Sequence, residues 1–311
     1  MSKTVIGAGV YNLDTIVVRE YPEGPARRKF IEHTVLEEVG GTCGNVMTML
    51  PYLGVQTFPV AILDRSEQGY KIKSDLERYG ADTRFVRNED GGGTTLLRST
   101  HKTLPDGSHA MSVRATSPGS MFPKRKQLGA RNGEAEAFAE SLDFTPDLFF
   151  FDDPSAGNMV LAERLRRKGC TIYFEPEKMD ARKVGTFLKR VDVSDIVKFS
   201  GEKISDVSFT DAYRDKLFIQ TLGKDGLRFS LEGGKWNRVD PVVNDNIIDW
   251  EGAGDWTSST IIAEFLKRGS RSVRSLTEND VREILCEAQK VASRSVSYMG
   301  SKGMISNNVK Q

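Results

Sequence analysis

A short glycine-containing stretch, Gly252-Ala253-Gly254-Asp255, most strongly constrains what this chain can fold into. Apolar positions at helical spacing follow it as far as Gly269. The stretch is therefore predicted to lie at a helix N-terminus, where backbone N–H groups have no partner within the helix and favour an anion. Asp255 could accept a proton from a hydroxyl beside that anion, so the pattern indicates a site for phosphoryl transfer.

Strand and helix patterns alternate along most of the chain. Predicted strands lie at 4–8, 34–39, 56–63, 83–86, 147–151, 171–174, 196–199 and 216–222, followed by a hairpin over 227–239. Predicted helices lie at 45–53, 66–79, 133–142, 159–168, 181–191, 256–268 and 280–298. Such alternation predicts an α/β fold with a mainly parallel sheet covered by helices.

Two further strand patterns, at 94–100 and 110–115, have no helix between them. They flank the turn signal Leu104-Pro105-Asp106-Gly107, so we expect an antiparallel pair. Together with strands predicted near Asp14 and Thr34, this pair is expected to form a small second sheet.

Composition excludes several classes of partner. The 311 residues carry 44 basic and 43 acidic side chains, a net charge of +1, which provides no field for nucleic acid or an anionic membrane. No apolar run reaches the length of a membrane span. The three cysteines show neither a metal-ligand spacing nor a disulfide framework, and a reducing, cytoplasmic setting is expected.

Familiar catalytic motifs are missing from the sequence. Gly7-Ala8-Gly9 starts like a dinucleotide fingerprint, but Asn12 stands at its sixth position and a strand pattern follows. No Gly-x-x-x-x-Gly-Lys-Ser/Thr loop occurs. A nucleophilic Cys43 is disfavoured because no histidine is an obvious partner. The only histidines are expected at the surface or in loops, which leaves carboxylates as the available bases; they are His33, His101 and His109.

Two motifs carry a resemblance to a known family. Gly252-Ala253-Gly254-Asp255 resembles the C-terminal signature of the ribokinase-like (PfkB) carbohydrate kinases, and Gly40-Gly41-Thr42-Cys43-Gly44-Asn45 is similar to their N-terminal glycine signature. Both occur in the family's order, in a chain of about the family's length. The resemblance implies one domain over 1–311, a three-layer α/β/α fold with a mainly parallel central sheet. It also implies a small β-sheet lid drawn from about 12–37 and 92–116.

The resemblance further implies ATP-dependent phosphorylation of a hydroxymethyl group on a sugar or sugar acid. Asp255 would be the base, and the amides of Gly252, Ala253 and Gly254 would form the anion hole. The implied substrate-binding residues are Asp14, Gly41 and Asn45, with Arg98 and Arg114 able to reach a substrate carboxylate or phosphate. The implied nucleotide-binding residues are Ser200, Thr221, Gly223, Lys224 and Gly226.

Cofactors and assembly follow from the same resemblance. ATP and Mg²⁺ are implied, a monovalent cation is a further candidate, and a homodimer formed through the lid is expected. Asp249 and Glu202 are the candidate metal positions, although Lys203 occupies the place where the family has its glutamate.

Three residues depart from the family pattern, namely Trp250, Glu251 and Trp256. Glu251 puts a negative charge beside the predicted phosphate site, and like charges at ~4 Å repel by about 4 kcal/mol at an effective dielectric near 20. Glu251 must point away or meet a cation, or phosphate does not bind there as usual. A ribokinase-like protein that binds sugar or nucleotide without transfer, a nucleoside kinase and an unrelated α/β enzyme therefore remain open.

Overall fold

The computed structural model describes residues 2–20, 30–103, 109–115, 126–129, 133–177, 179, 183–269 and 272–308. Its strands are β1 (Thr4–Ala8), β2 (Asn12–Glu20), β3 (Ile31–Gly40), β4 (Gln56–Leu63), β5 (Val86–Asn88), β6 (Thr95–Thr103), β7 (His109–Ala115), β8 (Leu148–Phe151), β9 (Thr171–Phe174), β10 (Ile196–Ser200), β11 (Leu217–Thr221), β12 (Leu227–Ser230) and β13 (Asn237–Val239).

The helices, in chain order, are α1 (Thr42–Tyr52), α2 (Glu67–Arg78), α3 (Glu134–Ser141), α4 (Ala156–Arg167), α5 (Val184–Val193), α6 (Ala253–Lys267), α7 (Glu278–Ser295) and α8 (Gly303–Asn308). Ser66 caps α2, accepting the Gly69 N–H at 3.1 Å, as its position before the helical pattern predicts. Among the described residues, no helix combines the length and the apolar character needed to cross a membrane.

The central sheet has the order β13-β12-β11-β10-β9-β8-β1-β4-β5. In this order, each pair of neighbouring strands between β11 and β5 is parallel. The β11–β12 and β12–β13 pairs are antiparallel. The predicted α/β class with a mainly parallel sheet is confirmed.

Strand β8 shows why this sheet forms. Four consecutive apolar residues are fully buried, since helices cover both faces of a parallel sheet. Phe149 and Phe151 pack into the core on one face, with ring centroids 5.6 Å apart, and Leu148 and Phe150 pack into the core on the other.

A separate four-stranded sheet has the order β3-β2-β6-β7. We call it the lid. Strands β6 and β7 are antiparallel, as predicted, whereas β2 and β6 run parallel with Asn12 opposite Thr95 and Asp14 opposite Leu97. The turn predicted at 104–107 lies outside the described residues.

Some predicted boundaries are wrong. Residues 83–85 form a 3-10 turn, because the Asp82 side chain caps it, and strand β5 starts only at Val86. Strand β3 begins at Ile31, earlier than predicted, because pairing with β2 extends it. Helix α8 was not predicted, since its six residues follow a glycine-containing turn and show no long apolar period.

Candidate active site

A cleft of about 740 Å³ lies between the lid and the carboxyl ends of the parallel strands. Asp152 and Glu175 follow strands β8 and β9, and Ser200 and Thr221 end strands β10 and β11. All four line the cleft, which is where open α/β sheets bind their ligands.

Helix α6 begins at the floor of this cleft, with Gly252 as its N-cap. Gly252 has φ +80°, a left-handed conformation that disfavours side chains. A Cβ there would lie only 2.5 Å from the Cβ of Ser301. The signature glycine is thus required both by backbone conformation and by packing.

The first amides of α6 have no acceptor within the helix. Trp256 donates the first helical bond, from its N–H to the Gly252 carbonyl at 2.8 Å. The Ala253 N–H points to the Trp250 carbonyl at 3.3 Å. An anion at this tip would therefore rely on the amides of Gly252 and Gly254 more than on that of Ala253.

Asp255 lines the cleft from the first turn of α6, and Asn45 Nδ2 donates to its Oδ2 at 2.6 Å. Burial, reinforced by the Glu175 charge, raises the pKa of Asp255 to about 6, although Asn45, Lys198 and Lys302 act in the opposite direction. A carboxylate of this kind is more basic than usual yet ionised at neutral pH, as a general base needs to be.

Lys302 lies behind Asn45 and is fully buried. Its Nζ donates to Asn45 Oδ1 at 2.6 Å and lies 3.4 Å from Glu38 Oε1. Tyr79 in turn donates to Glu38 Oε2 at 2.8 Å. Sequence reasoning missed Lys302, because a single lysine beyond the last predicted helix carries no motif.

Lys198 fixes the helix tip to the sheet. Its Nζ donates to Glu175 Oε1 at 2.5 Å and to the Gly254 carbonyl at 2.9 Å. Ser258, one turn into α6, donates to Glu175 Oε2 at 2.5 Å. These bonds hold Asp255 and the free amides in a fixed position relative to strands β9 and β10.

No protein-family model and no curated protein matches the sequence. Solved structures do. The fructokinase with bound ATP from Xylella fastidiosa superposes with a TM-score of 0.72 at 16% identity, over 100% of both chains. The chain has the ribokinase-like fold. The Arabidopsis thaliana ribokinase complexed with ribose and ATP gives a TM-score of 0.68 at 17% identity, over 97% of this chain and 95% of that one.

A nucleoside kinase shares the same ribokinase-like fold. The Burkholderia thailandensis enzyme in complex with inosine matches with a TM-score of 0.63 at 16% identity, over 96% of this chain and 92% of that one. Because one fold hosts different acceptors, substrate class must be argued from the residues of the cleft.

Of the five predicted nucleotide-binding residues, the structure brings Ser200 and Thr221 to the cleft. The other three belong to the turn before β12 and are not among the described residues that line it, namely Gly223, Lys224 and Gly226. Gly226 has φ +87°, and a Cβ there would lie 2.5 Å from the Val239 carbonyl oxygen. Its glycine is explained by close packing against β13.

Of the predicted substrate-binding residues, Asp14, Gly41 and Asn45 line the cleft. Neither predicted arginine is among the described lining residues. Arg98 forms an ion pair with Glu32 on the lid, and Arg114 is exposed. Alternation along β6 explains this: Leu97 lines the cleft, Ser99 contacts Glu251 on the same face of the strand, and Arg98 lies on the opposite face.

The two candidate metal positions differ in surroundings. Asp249 is buried, and its carboxylate accepts the backbone N–H groups of Glu251 and Gly300 at 2.9 Å each. Glu202 is exposed and is not among the described residues that line the cleft.

The expectation that all three histidines lie at the surface or in loops is wrong for His101. It lies on strand β6, is buried, and has its Nε2 3.8 Å from Asp249 Oδ2. His33 is exposed, and the side chain of His109 lies outside the described part of the chain. His101 follows Ser99 on the same face of β6, which turns it inward.

The three departures from the family pattern occupy different places. Trp256 is fully buried behind α6, where its Nε1 donates to the Ser301 carbonyl at 2.8 Å. Trp250 is 48% exposed. Only Glu251 lines the cleft, and Ser99 on the lid donates to its Oε2 at 3.0 Å.

Cys43 is buried in the glycine signature, and its thiol donates to the Tyr11 hydroxyl oxygen at 3.2 Å. Burial raises the pKa of the Cys43 thiol well above its usual value, so little reactive thiolate forms. This environment argues for a packing role.

Proposed function

We propose that this protein is an ATP-dependent kinase that phosphorylates a hydroxymethyl group of a sugar or sugar acid. One observation carries the proposal: Asp255, with a raised pKa, stands beside the Gly252 and Gly254 amides, which have no acceptor among the described residues, in a cleft large enough for two small ligands.

In the proposed reaction, Asp255 orients the acceptor hydroxyl and takes its proton as the oxygen attacks the γ-phosphorus of ATP. The bond from that phosphorus to the bridging oxygen breaks, and ADP leaves. The amides of Gly252 and Gly254 stabilise charge on the moving phosphoryl oxygens. Asn45, held by Lys302, keeps the Asp255 carboxylate pointing at the acceptor.

ATP is proposed to bind at the cleft end marked by Ser200 and Thr221, with the predicted glycine turn over 223–226 beside it. Mg²⁺ would neutralise the triphosphate. The exposed Glu177 carboxylate could supply an oxygen ligand, whereas both Glu175 oxygens are bonded to Lys198 and Ser258. Asp249 remains the proposed monovalent-cation position and Glu202 the second metal position.

The acceptor is proposed to bind under the lid, against Asp14, Asn45 and the backbone of Gly41. Gly41 has φ +80°, and a Cβ there would lie 2.6 Å from the Val10 carbonyl oxygen, so its glycine keeps this wall close-packed. The carboxylate of a sugar acid would additionally need a positively charged partner. Arg98 or Arg114 would have to move into the cleft to provide it.

We also propose that both sheets form one domain and that the lid makes a homodimer contact. Exposed apolar side chains on lid strands support the dimer; they are Ile31, Val35 and Val113. Val113→Asp should lower the association constant in analytical ultracentrifugation, and an unchanged constant would argue against this contact. The cytoplasmic setting stays a prediction.

The test is ATP consumption across a panel of sugars, sugar acids and nucleosides. Asp255→Asn should lower kcat by about 10²–10⁴-fold while acceptor binding stays measurable by calorimetry. Asp245→Asn, a change at an exposed position, serves as the control. If the unaltered protein binds acceptors without consuming ATP, it is a ribokinase-like binding protein that has lost phosphoryl transfer. Substantial turnover by Asp255→Asn would show that Asp255 is not the base.

A further inference from the structure

We propose that the preferred acceptor carries a protonated amino group, so that it is an amino sugar or amino polyol whose ammonium lies between Asp14 and Glu251. This inference rests on the proposed kinase function and specifies its acceptor. It follows from charge, position and unmet hydrogen-bonding capacity at the lid end of the cleft.

The lid brings the two carboxylates near each other. Asp14 pairs with Leu97, and Ser99 is two residues further along the same strand. Two residues of a strand span roughly 7 Å and return to the same face. Because Ser99 donates to Glu251 at 3.0 Å, the Glu251 carboxylate is held against the lid, near enough for its charge to raise the pKa of Asp14. A single small ligand can contact both.

The charges that line the cleft are unbalanced. The described acidic lining residues are Asp14, Asp152, Glu175, Glu177, Glu251 and Asp255, against the basic residues Lys198 and Lys203. Both lysines are paired at the nucleotide end, Lys198 with Glu175 at 2.5 Å and Lys203 with Glu177 at 3.7 Å. Asp14 and Glu251 have no such pair among the described residues of the lining.

Lys302 offsets part of this imbalance, because its charge opposes the rise that burial causes in the pKa of both Asp14 and Glu251. It is fully buried behind Asn45 and lies 3.4 Å from Glu38, a further carboxylate. One lysine therefore faces Glu38 and, through Asn45, Asp255. Because Asp14 and Glu251 share this one lysine with Glu38 and Asp255, an additional positive charge at the lid end would stabilise their ionised forms.

Two buried acceptor atoms in the cleft wall also lack hydrogen-bond donors within the described part of the chain. Asp14 Oδ1 and Asn12 Oδ1 have no hydrogen-bond partner among the described residues, although both side chains are more than nine-tenths buried and line the cleft. Burying such atoms without a donor is costly. Sugar hydroxyls can donate to them, whereas a cationic donor such as an ammonium donates and also offsets the charge.

The titration of Asp14 agrees with this geometry. Burial, together with the charges of Glu251 and Glu38, raises the pKa of Asp14 to about 7, although the charge of Lys302 acts in the opposite direction. A bound cation would stabilise the ionised form of Asp14. It would also shield the phosphoryl group from Glu251, whose charge next to Gly252 otherwise opposes phosphate binding.

The experiment compares matched acceptors in the full chain. Each set contains a 2-amino sugar, the corresponding 2-hydroxy sugar, the N-acetylated sugar and the corresponding sugar acid. The readout is the ratio of kcat/KM between the amino and the hydroxy member. We expect this ratio to exceed about tenfold, and N-acetylation, which removes the charge, to abolish the advantage.

Glu251→Gln keeps the shape of the side chain and removes its charge. The ratio should fall to within about threefold of unity in this variant. Glu287→Gln on the surface of α7 is the matched control and should keep the ratio. Ser99→Ala, which releases the Glu251 carboxylate, should lower the ratio by a smaller factor.

The possible outcomes separate the two proposals. Turnover that favours hydroxy sugars or sugar acids, with the same ratio in Glu251→Gln, would overturn the ammonium inference and leave the kinase standing. If no acceptor supports ATP consumption, the kinase proposal fails. Calorimetric titration of the amino and hydroxy sugars into wild type and Glu251→Gln then decides whether the ammonium preference exists in binding.

Discussion

Asn45 and Asp255 are joined by a 2.6 Å hydrogen bond from Nδ2 to Oδ2. One residue belongs to the N-terminal glycine signature and the other to the C-terminal signature. The opposite end of the Asn45 amide, its Oδ1, accepts a 2.6 Å bond from the buried Lys302. Asn45 is thus fixed at both ends, and its amide group holds one oxygen of the Asp255 carboxylate.

The first prediction concerns Lys302 as a positioning residue. Lys302→Met should lower kcat by about tenfold, because the Asn45 amide is freed to rotate, with KM changed less. Loss of the nearby positive charge should also raise the apparent pKa of Asp255 above its present value of about 6. Kinetics across a pH series measures both effects.

Lys290→Met, on the exposed surface of α7, is the control for this change. Removing Lys302 also leaves Glu38 unpaired, so a loss of about 3 kcal/mol in unfolding free energy is expected, and assays belong at low temperature. A pH profile identical to that of the unaltered protein would show that Lys302 only fills space.

The second prediction is the pH dependence of the reaction. A base must be deprotonated to act, so with a neutral hydroxy sugar as acceptor kcat should rise with pH through the Asp255 pKa of about 6 and level off above it. In Asp255→Asn the residual activity should lose this limb. A limb that survives in that variant would assign the titration to another group.

The third prediction concerns stability. The pKa of Asp14 is about 7, above its ordinary value of 3.8, so the unfolded chain ionises first as pH rises. Stability is therefore lost between about pH 4 and pH 7, and the loss persists at higher pH. Asp14→Asn should raise the unfolding free energy by about 2–4 kcal/mol at pH 8 and change it little at pH 4.

Chemical denaturation at the two pH values measures this effect. Asp90→Asn, at an exposed loop position, should show no such dependence. If Asp14→Asn changed the unfolding free energy equally at both pH values, packing and not ionisation would explain how Asp14 affects stability.

The fourth prediction separates backbone conformation from packing at the helix tip. Gly252 and Gly269 bracket α6 with φ of +80° and +71°. An added Cβ at Gly269 meets nothing within 4 Å, whereas one at Gly252 lies 2.5 Å from Ser301. Gly269→Ala should cost about 1 kcal/mol of unfolding free energy, and Gly252→Ala about 2 kcal/mol more.

Thermal or denaturant unfolding of both variants gives the comparison. Gly252→Ala should also lower kcat, because displacement of Ser301 disturbs its neighbour Lys302. Similar losses of unfolding free energy in the two variants would mean that the turn containing Ser301, just before α8, shifts at little cost to accommodate a methyl group.

The sequence by itself determined the class of fold and the chemistry of the helix tip. Alternating strand and helix patterns predict a parallel sheet because burial on both faces leaves a continuous apolar run, as in Phe149-Phe150-Phe151. The amides and Asp255 were also predictable, since local glycine spacing and capping decide where a helix starts.

Only the tertiary structure decided which distant groups surround Asp255 and the proposed acceptor site. Lys302, Ser99 and His101 belong to no local sequence pattern. Ser99 reaches Glu251 through the pairing of strands β2 and β6, and Lys302 reaches Asn45 through the turn that precedes α8. The predicted arginines fail to line the cleft for the same reason, since strand alternation turns Arg98 to the opposite face. Local spacing fixes what a helix tip offers, whereas long-range packing fixes the charges that surround it.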